Sequence, residues 1–339
     1  GTHEISQMFN LLITNENDPP SLVGSNFTQI SVDENTPTVS AFEVNDQDSQ
    51  ASLLDVVMVV ENQSIEFSLN SGSTSNRFVD GVAVTNLANA SFSKTADFDR
   101  DGDIDILLIK KNSGSIEIFE NNGSGGFSNA PISVLSDTQS FPQHAVVADL
   151  DEDGYPDIVV ALKGSSKVAF YRNSAATNSI SFESSVSVGT NLSGVSHVQV
   201  GDLDTDGDVD VMAIAETANE VQWFKNEGPL YFETNASDPM KFILGEKLQT
   251  SQLEVNSPRT TTLGDLDQDG DLDVVVASSM DGNFTSFLND GNGSFGLPQR
   301  LYKEINGEAQ LVELVDLNKD NKLDLVLVTK NPNKLGVML

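Results

Sequence analysis

Short apolar runs recur at wide intervals along the chain: ILLI (106–109), IVVA (158–161), VMAIA (211–215), VVVA (274–277) and LVLV (325–328). Each is too short for a helix, rich in strand-forming residues and followed by turn formers, which predicts buried β-strands. A second stretch of strand character follows the first four runs and ends in an aromatic and an Asn before a turn: SIEIFENNGSGGF (115–127), KVAFYRN (167–173), EVQWFKNEG (220–228) and NFTSFLNDGNGSF (283–295). Another short stretch precedes each unit, as in HAVVADL (144–150) and HVQVGDL (197–203). Helical periodicity is absent, so the pattern predicts an all-β chain.

Between the first and second strand of each unit lies a nine-residue acidic segment: DFDRDGDID (97–105), DLDEDGYPD (149–157), DLDTDGDVD (202–210), DLDQDGDLD (265–273) and DLNKDNKLD (316–324). Their first aspartates are 52, 53, 63 and 51 residues apart, a period near fifty with one insertion. A four-stranded antiparallel unit at that period, its fourth strand the poorly patterned stretch after the turn, predicts a β-propeller of five clear blades. A stacked solenoid is the competing architecture, but its repeats are usually shorter.

Like charge this dense implies a cation. Oxygen donors occupy positions one, three, five and nine of every copy: Asp97, Asp99, Asp101 and Asp105; Asp149, Asp151, Asp153 and Asp157; Asp202, Asp204, Asp206 and Asp210; Asp265, Asp267, Asp269 and Asp273; Asp316, Asn318, Asp320 and Asp324. Position seven (Asp103, Tyr155, Asp208, Asp271 or Lys322) is expected to offer its backbone carbonyl, because Gly at position six lets the chain turn back through a positive φ. Five or more hard oxygens suit Ca²⁺ better than the smaller, more tightly hydrated Mg²⁺, so about five Ca²⁺ sites are expected. The fifth is the weakest, with Asn318 for Asp and Asn321 for Gly. An EF-hand would need Glu at position twelve, where this chain has Leu108, Val160, Ala213, Val276 and Leu327, so that reading fails.

Overall charge agrees. The 339-residue chain carries 51 acidic and 18 basic residues, a formal charge of −33, and the five loops hold 23 of the acids and three bases, a net of −20. Such acidity argues against nucleic acid and anionic membrane surfaces as partners. Cysteine is absent, which excludes disulfides, thiolate chemistry and Cys-ligated zinc and leaves bound metal as the alternative staple. No apolar run approaches the ~18 residues of a membrane span. The chain begins at Gly1 without a leader-like segment, as expected of a mature or excised soluble piece.

With the D-x-D-x-D-G-x-x-D loop, the apolar strand behind it and the F-x-N-x-G turn, residues 91–339 resemble FG-GAP/VCBS repeats, the family that builds the head propeller of integrin α subunits and parts of many secreted bacterial proteins. The resemblance implies structural calcium loops joining the first two strands of each blade, ligand recognition on the opposite face, and an extracellular or cell-surface location, bacterial in origin. Residues 1–90 allow two readings. NENDPPSL (15–22) and ISVDENTPTVSAFEVNDQD (30–48) resemble the opening of a bacterial cadherin-like or immunoglobulin-like sandwich through Asn17, Asp18, Glu34, Asp46 and Asp48. Alternatively, DQDSQASLLDVVMVV (46–60) and SIEFSLNSG (64–72) mimic a degenerate sixth blade, with Asp55 standing 50 residues before Asp105.

Catalytic chemistry has little to work with. The histidines are His3, His144 and His197; the last two each lie five residues before their loop, at the blade end away from it, as rim residues or a pair of ligand contacts. No nucleophile elbow, zinc-protease or phosphate-loop motif occurs, and Trp223 aligns with core positions Ile118 and Phe170. The expected function is non-enzymatic: a secreted calcium-binding recognition or adhesion module for an extracellular glycan or protein, with no nucleic-acid partner and no membrane insertion. A polysaccharide-acting enzyme or part of one, or a structural spacer in a large surface protein, are the alternatives.

Overall fold

The structure is a computed structural model. It describes residues 90–339 apart from 125, 129, 175–178, 229–240, 249–254, 305–306 and 332, together with five short strands before residue 90. The chain divides into two compact units, Gly1–Ser93 and Lys94–Leu339, with the boundary inside a strand. In the first, β1 (Ser21–Leu22) pairs with β2 (Val44–Asn45), and β3 (Val56–Val59), β4 (Ser64–Ser68) and β5 (Val82–Asn86) form an antiparallel meander. Asn17, Asp18, Glu34, Asp46, Asp48 and Asp55, on which the two readings of this region turn, lie outside the described residues.

Five sheets follow. The first runs β6 (Ala90–Ala96), β7 (Asp105–Lys110), β8 (Ser115–Phe119), β9 (Ile132–Ser136). The second runs β10 (Pro142–Ala148), β11 (Asp157–Leu162), β12 (Lys167–Tyr171), β13 (Val186–Gly189). The third runs β14 (Val195–Gly201), β15 (Asp210–Ala215), β16 (Glu220–Asn226), β17 (Phe242–Lys247). The fourth runs β18 (Pro258–Gly264), β19 (Asp273–Ser278), β20 (Asn283–Phe287), β21 (Gln299–Lys303), and the fifth has three strands, β22 (Glu308–Val315), β23 (Asp324–Lys330) and β24 (Lys334–Met338). Strand order follows chain order in each, and among the described residues there is no helix, hence none long and apolar enough to cross a membrane. This is the all-β, blade-by-blade architecture of a β-propeller. The first strands of successive sheets are neighbours, β10 beside β14, β14 beside β18 and β18 beside β22.

Packing explains why the second strand of each blade is apolar without interruption. Side chains alternate between the two faces of a strand, and here both faces are covered. Val211, Ala213 and Ala215 of β15 pack against Val159, Ala161 and Phe170 of the preceding sheet. Met212 and Ile214, on the other face of β15, pack with Val274, Val276 and Phe287 of the next. Trp223, on β16, lies in that second core at 5% exposure. A Cβ on Gly245 or Gly293 would come within 2.2 or 2.3 Å of its ring, so those two glycines make room for the indole.

Sheets are also tied by one repeated side chain. The Asn that closes the third strand donates from Nδ2 into the preceding blade: Asn173 to the Phe98 carbonyl (2.8 Å), Asn226 to that of Leu150 (3.0 Å) and Asn289 to that of Leu203 (2.7 Å). The same amide group also serves its own blade, as Asn226 Nδ2 does with the Val209 carbonyl at 3.1 Å. All three asparagines are buried.

Removing such a hook strands buried carbonyls, which costs about 1–3 kcal/mol. Asn226→Ala is expected to lower the unfolding free energy from urea titration by that amount, whereas Asn292→Ala, on an exposed turn, leaves it in place.

Candidate metal centre

Each acidic segment runs from the residue after the end of a first strand to the first residue of the second, so the five loops occupy one place in the blade. The position-one carboxylate gathers amides from the turn: Asp97 accepts from Asp101 N–H (3.1 Å) and Gly102 N–H (3.0 Å). Asp202, Asp265 and Asp316 repeat both bonds, and Asp149 accepts from Gly154 at 2.8 Å. Position five accepts from position seven throughout, with Asp101, Asp153, Asp206, Asp269 and Asp320 bonded to the amides of Asp103, Tyr155, Asp208, Asp271 and Lys322. Position six takes a positive φ of 97, 88, 99 and 98° at Gly102, Gly154, Gly207 and Gly270, and Asn321 substitutes at 63°. Asn reaches that conformation more readily than other non-glycine residues.

Position four is left-handed as well, in residues that are not glycine: Arg100, Glu152, Thr205, Gln268 and Lys319 have φ between 55 and 65°. From this turn three of the side chains reach the next blade. Arg100 lies over the Tyr155 ring at 5.3 Å, Thr205 Oγ1 donates to the Gly291 carbonyl (2.8 Å), and Gln268 Nε2 donates to the Asn321 carbonyl (2.8 Å).

Four loops bring three carboxylates together, with one oxygen of each within 4.8 Å of the others: Asp97, Asp99 and Asp101; Asp149, Asp151 and Asp157; Asp202, Asp204 and Asp206; Asp265, Asp267 and Asp269. In the second loop position nine, Asp157, thus takes the place of position five, Asp153, which is not among the converging groups. In every loop position nine also clamps backbone: Asp210 accepts from Leu203 N–H (2.9 Å) and Asn226 N–H (2.7 Å), and Asp105, Asp157 and Asp273 make the same pair of bonds. Asp324 accepts from Leu317 N–H at 2.8 Å. The side chains of Asp103, Tyr155, Asp208, Asp271 and Lys322 are not among the converging groups. The fifth loop keeps the turn bonds, with Asn318 Oδ1 in place of the third carboxylate, accepting from Asp320 N–H at 2.9 Å.

Several inward oxygens are buried and accept no hydrogen bond among the described residues: Asp99 Oδ2, Asp149 Oδ1 and Asp204 Oδ1. Asp99 is 1% exposed, and burial first, then the charges of Asp101, Glu120 and Asp97, push its carboxyl above the ordinary range. Burial likewise raises Asp105 to about 6 and Asp157 and Asp210 to about 7. Oxygen-only donors, crowded and unpartnered, fit a hard divalent cation. The hooks and position four escaped the sequence reading, although a signal existed: Asn121, Asn173, Asn226 and Asn289 each stand 16 residues after position nine.

At the far end of the blades, His144 and His197 occupy equivalent places on β10 and β14, and their rings stack at 4.0 Å between centroids. His144 Nδ1 accepts from Val198 N–H at 3.5 Å. Burial, then the charges of His197 and Lys94, hold His144 well below the ordinary imidazole range; burial and Lys94 lower His197 to about 3. Lys94 in turn is lowered by burial and raised by Glu313 on β22, so these inner strands carry titratable groups that act on one another.

Comparison with known proteins agrees with this architecture. The FG-GAP-like repeat family matches residues 97–160, 149–213 and 265–327, more than half of the chain. Among solved structures, a lectin from Agrocybe aegerita that recognises non-reducing terminal N-acetylglucosamine is similar at TM-score 0.54 and 20% identity, over 84% of this chain and 75% of that one. A protein from Lactobacillus plantarum matches at TM-score 0.53 and 14% identity, over 86% and 83%. The periplasmic gluconolactonase of Pseudomonas aeruginosa matches at 0.49 and 15%, over 84% and 70%. At such identities the likeness shows the fold alone. No curated protein matches in sequence.

The histidine pair carries a pH dependence whose sign follows from its depressed folded-state values. The unfolded chain takes up protons below about pH 6.5 and the folded pair refuses them, so this contribution is complete above that pH and lost as pH falls toward 3. Urea midpoints measured from pH 7.5 to pH 4 should fall more steeply for the native chain than for His144→Gln, His197→Gln, the difference appearing below pH 6.5.

Proposed function

The chain belongs to the FG-GAP-like repeat family, and on that footing we propose that it is a calcium-stabilised propeller serving as an extracellular recognition or adhesion module. The observation that carries the calcium reading is the set of buried, donorless carboxylate oxygens at Asp99, Asp149 and Asp204, each within an acidic cluster. In water-poor surroundings an unpaired carboxylate oxygen is costly, and a cation among several of them offsets that cost. Positions one, three and five, with Asp157 in place of position five in the second loop, would hold the ion. The ion supplies charge neutralisation, and the residues supply the rigid turn.

Recognition belongs to the blade end opposite these loops, where the first strands begin and no carboxylate is committed to a metal cluster. A glycan or a protein epitope is the ligand class. The sugar-recognising lectin of similar fold supports a glycan screen as the first experiment. Adhesion, secretion and a cell-surface setting are part of the same proposal, since loops of this type reach affinities suited to extracellular calcium, Kd on the order of 10⁻⁴ to 10⁻³ M.

A cation that binds only the native state adds RT ln(1 + [Ca]/Kd), about 2.7 kcal/mol per site at a hundredfold excess over Kd. Adding EDTA should therefore lower Tm by many degrees and calcium should restore it; a melt indifferent to both rejects the calcium reading. A glycan array probed in calcium and again in chelator is expected to give calcium-dependent binding to a defined sugar set, and a blank array directs the search to protein ligands.

A further inference from the structure

The residue just before the Asn at the end of each third strand differs in charge from blade to blade: Glu120, Arg172, Lys225 and Leu288. In the second and third blades this side chain turns into its own acidic loop. Lys225 Nζ pairs with Asp204 Oδ2 and lies 2.8 Å from Asp206 Oδ2, at loop positions three and five. Arg172 Nε contacts Asp151 Oδ2 without the alignment of a hydrogen bond, and its Nη2 lies 3.8 Å from Asp153 Oδ2. Both side chains are largely covered, at 28% exposure. In the first blade the corresponding residue has the opposite sign: the Glu120 charge acts on Asp99, which is 1% exposed and has one oxygen without a donor. The fourth blade has an apolar Leu288 there.

We propose that this position sets the calcium affinity of its loop: Arg172 and Lys225 are built-in counterions that partly neutralise loops two and three, leaving loops one and four as the ones that take calcium first. The proposal rests on the calcium reading above. A divalent ion entering loop three must displace the Lys225 ammonium from two carboxylates or sit within a few ångströms of it. Either raises the free energy of binding relative to a loop without a base. Affinity in oxygen-ligand loops follows the ligand charge count, which Glu120 increases, Leu288 leaves alone, and Arg172 and Lys225 decrease. Loop five, with Asn318, Lys319 and Lys322 in its own nine residues, falls in the weak class.

Titration of the full chain with calcium chloride by isothermal calorimetry tests this, with circular dichroism as a fold check. The native chain is expected to show two classes of site with two ions in the tight class. Arg172→Gln with Lys225→Gln should raise the tight class to four, with roughly tenfold tighter binding at the altered loops. Leu288→Lys should reduce the tight class to one, and either variant decides the question if the other does not fold. Stoichiometry and affinity unchanged in a folded variant overturn the counterion role and leave the calcium reading standing. No binding heat and no calcium-dependent thermal shift in any of the proteins overturn the calcium reading, and this proposal with it.

Discussion

A carboxylate at the head of each second strand holds the repeat together. Asp105, Asp157, Asp210 and Asp273 are completely buried, and each accepts one amide from position two of its loop and one from the Asn that ends the third strand. One side chain thereby closes the acidic turn and joins it to the strand exit 16 residues later. Two charge-assisted hydrogen bonds compensate only part of the desolvation of a buried carboxylate, which is why these groups sit above their ordinary pKa range. The acidic cluster beside them adds to the cost, which a cation of the kind proposed would offset.

From that clamp the rest of the blade contact follows. Because position nine fixes the hook Asn, the Asn amide is aimed at the carbonyl of the preceding loop. Because the loop turns through two left-handed residues, position four is aimed at the following one. The first four acidic loops are therefore each tied to the next blade, loops one and three at two points, loop two through Asn226 and loop four through Gln268, independently of the apolar cores between sheets. The first strands carry a separate chemistry, with stacked imidazoles toward their opposite ends and the charges of Lys94 and Glu313 acting on one another nearer the loops.

How much of this was legible depends on range. Strand positions, the fifty-residue unit and the acid at alternate loop positions could be read directly, since period-two alternation and left-handed turns are local properties of adjacent residues. The uninterrupted apolar run of β15 was legible as a buried strand, but which of its residues faces which neighbour was not, because both faces are apolar. Position nine was legible as an oxygen donor. Its amide-clamping role was not, because its second partner is Asn226 on another strand. Position four was invisible for a different reason: Arg100, Glu152, Thr205, Gln268 and Lys319 share no chemistry, only a backbone conformation.

The sequence by itself therefore determined the repeat, its all-β character and the concentration of hard oxygen donors, all consequences of spacing along one chain. Only the tertiary structure decided what each charge confronts. Arg172 and Lys225 read as ordinary bases at strand ends, and only strand pairing, which brings the third strand alongside the loop of its own blade, turns them into counterions of Asp151 and Asp204. The physical reason is that electrostatic energy depends on distance through space, and the fold sets that distance between residues about twenty positions apart.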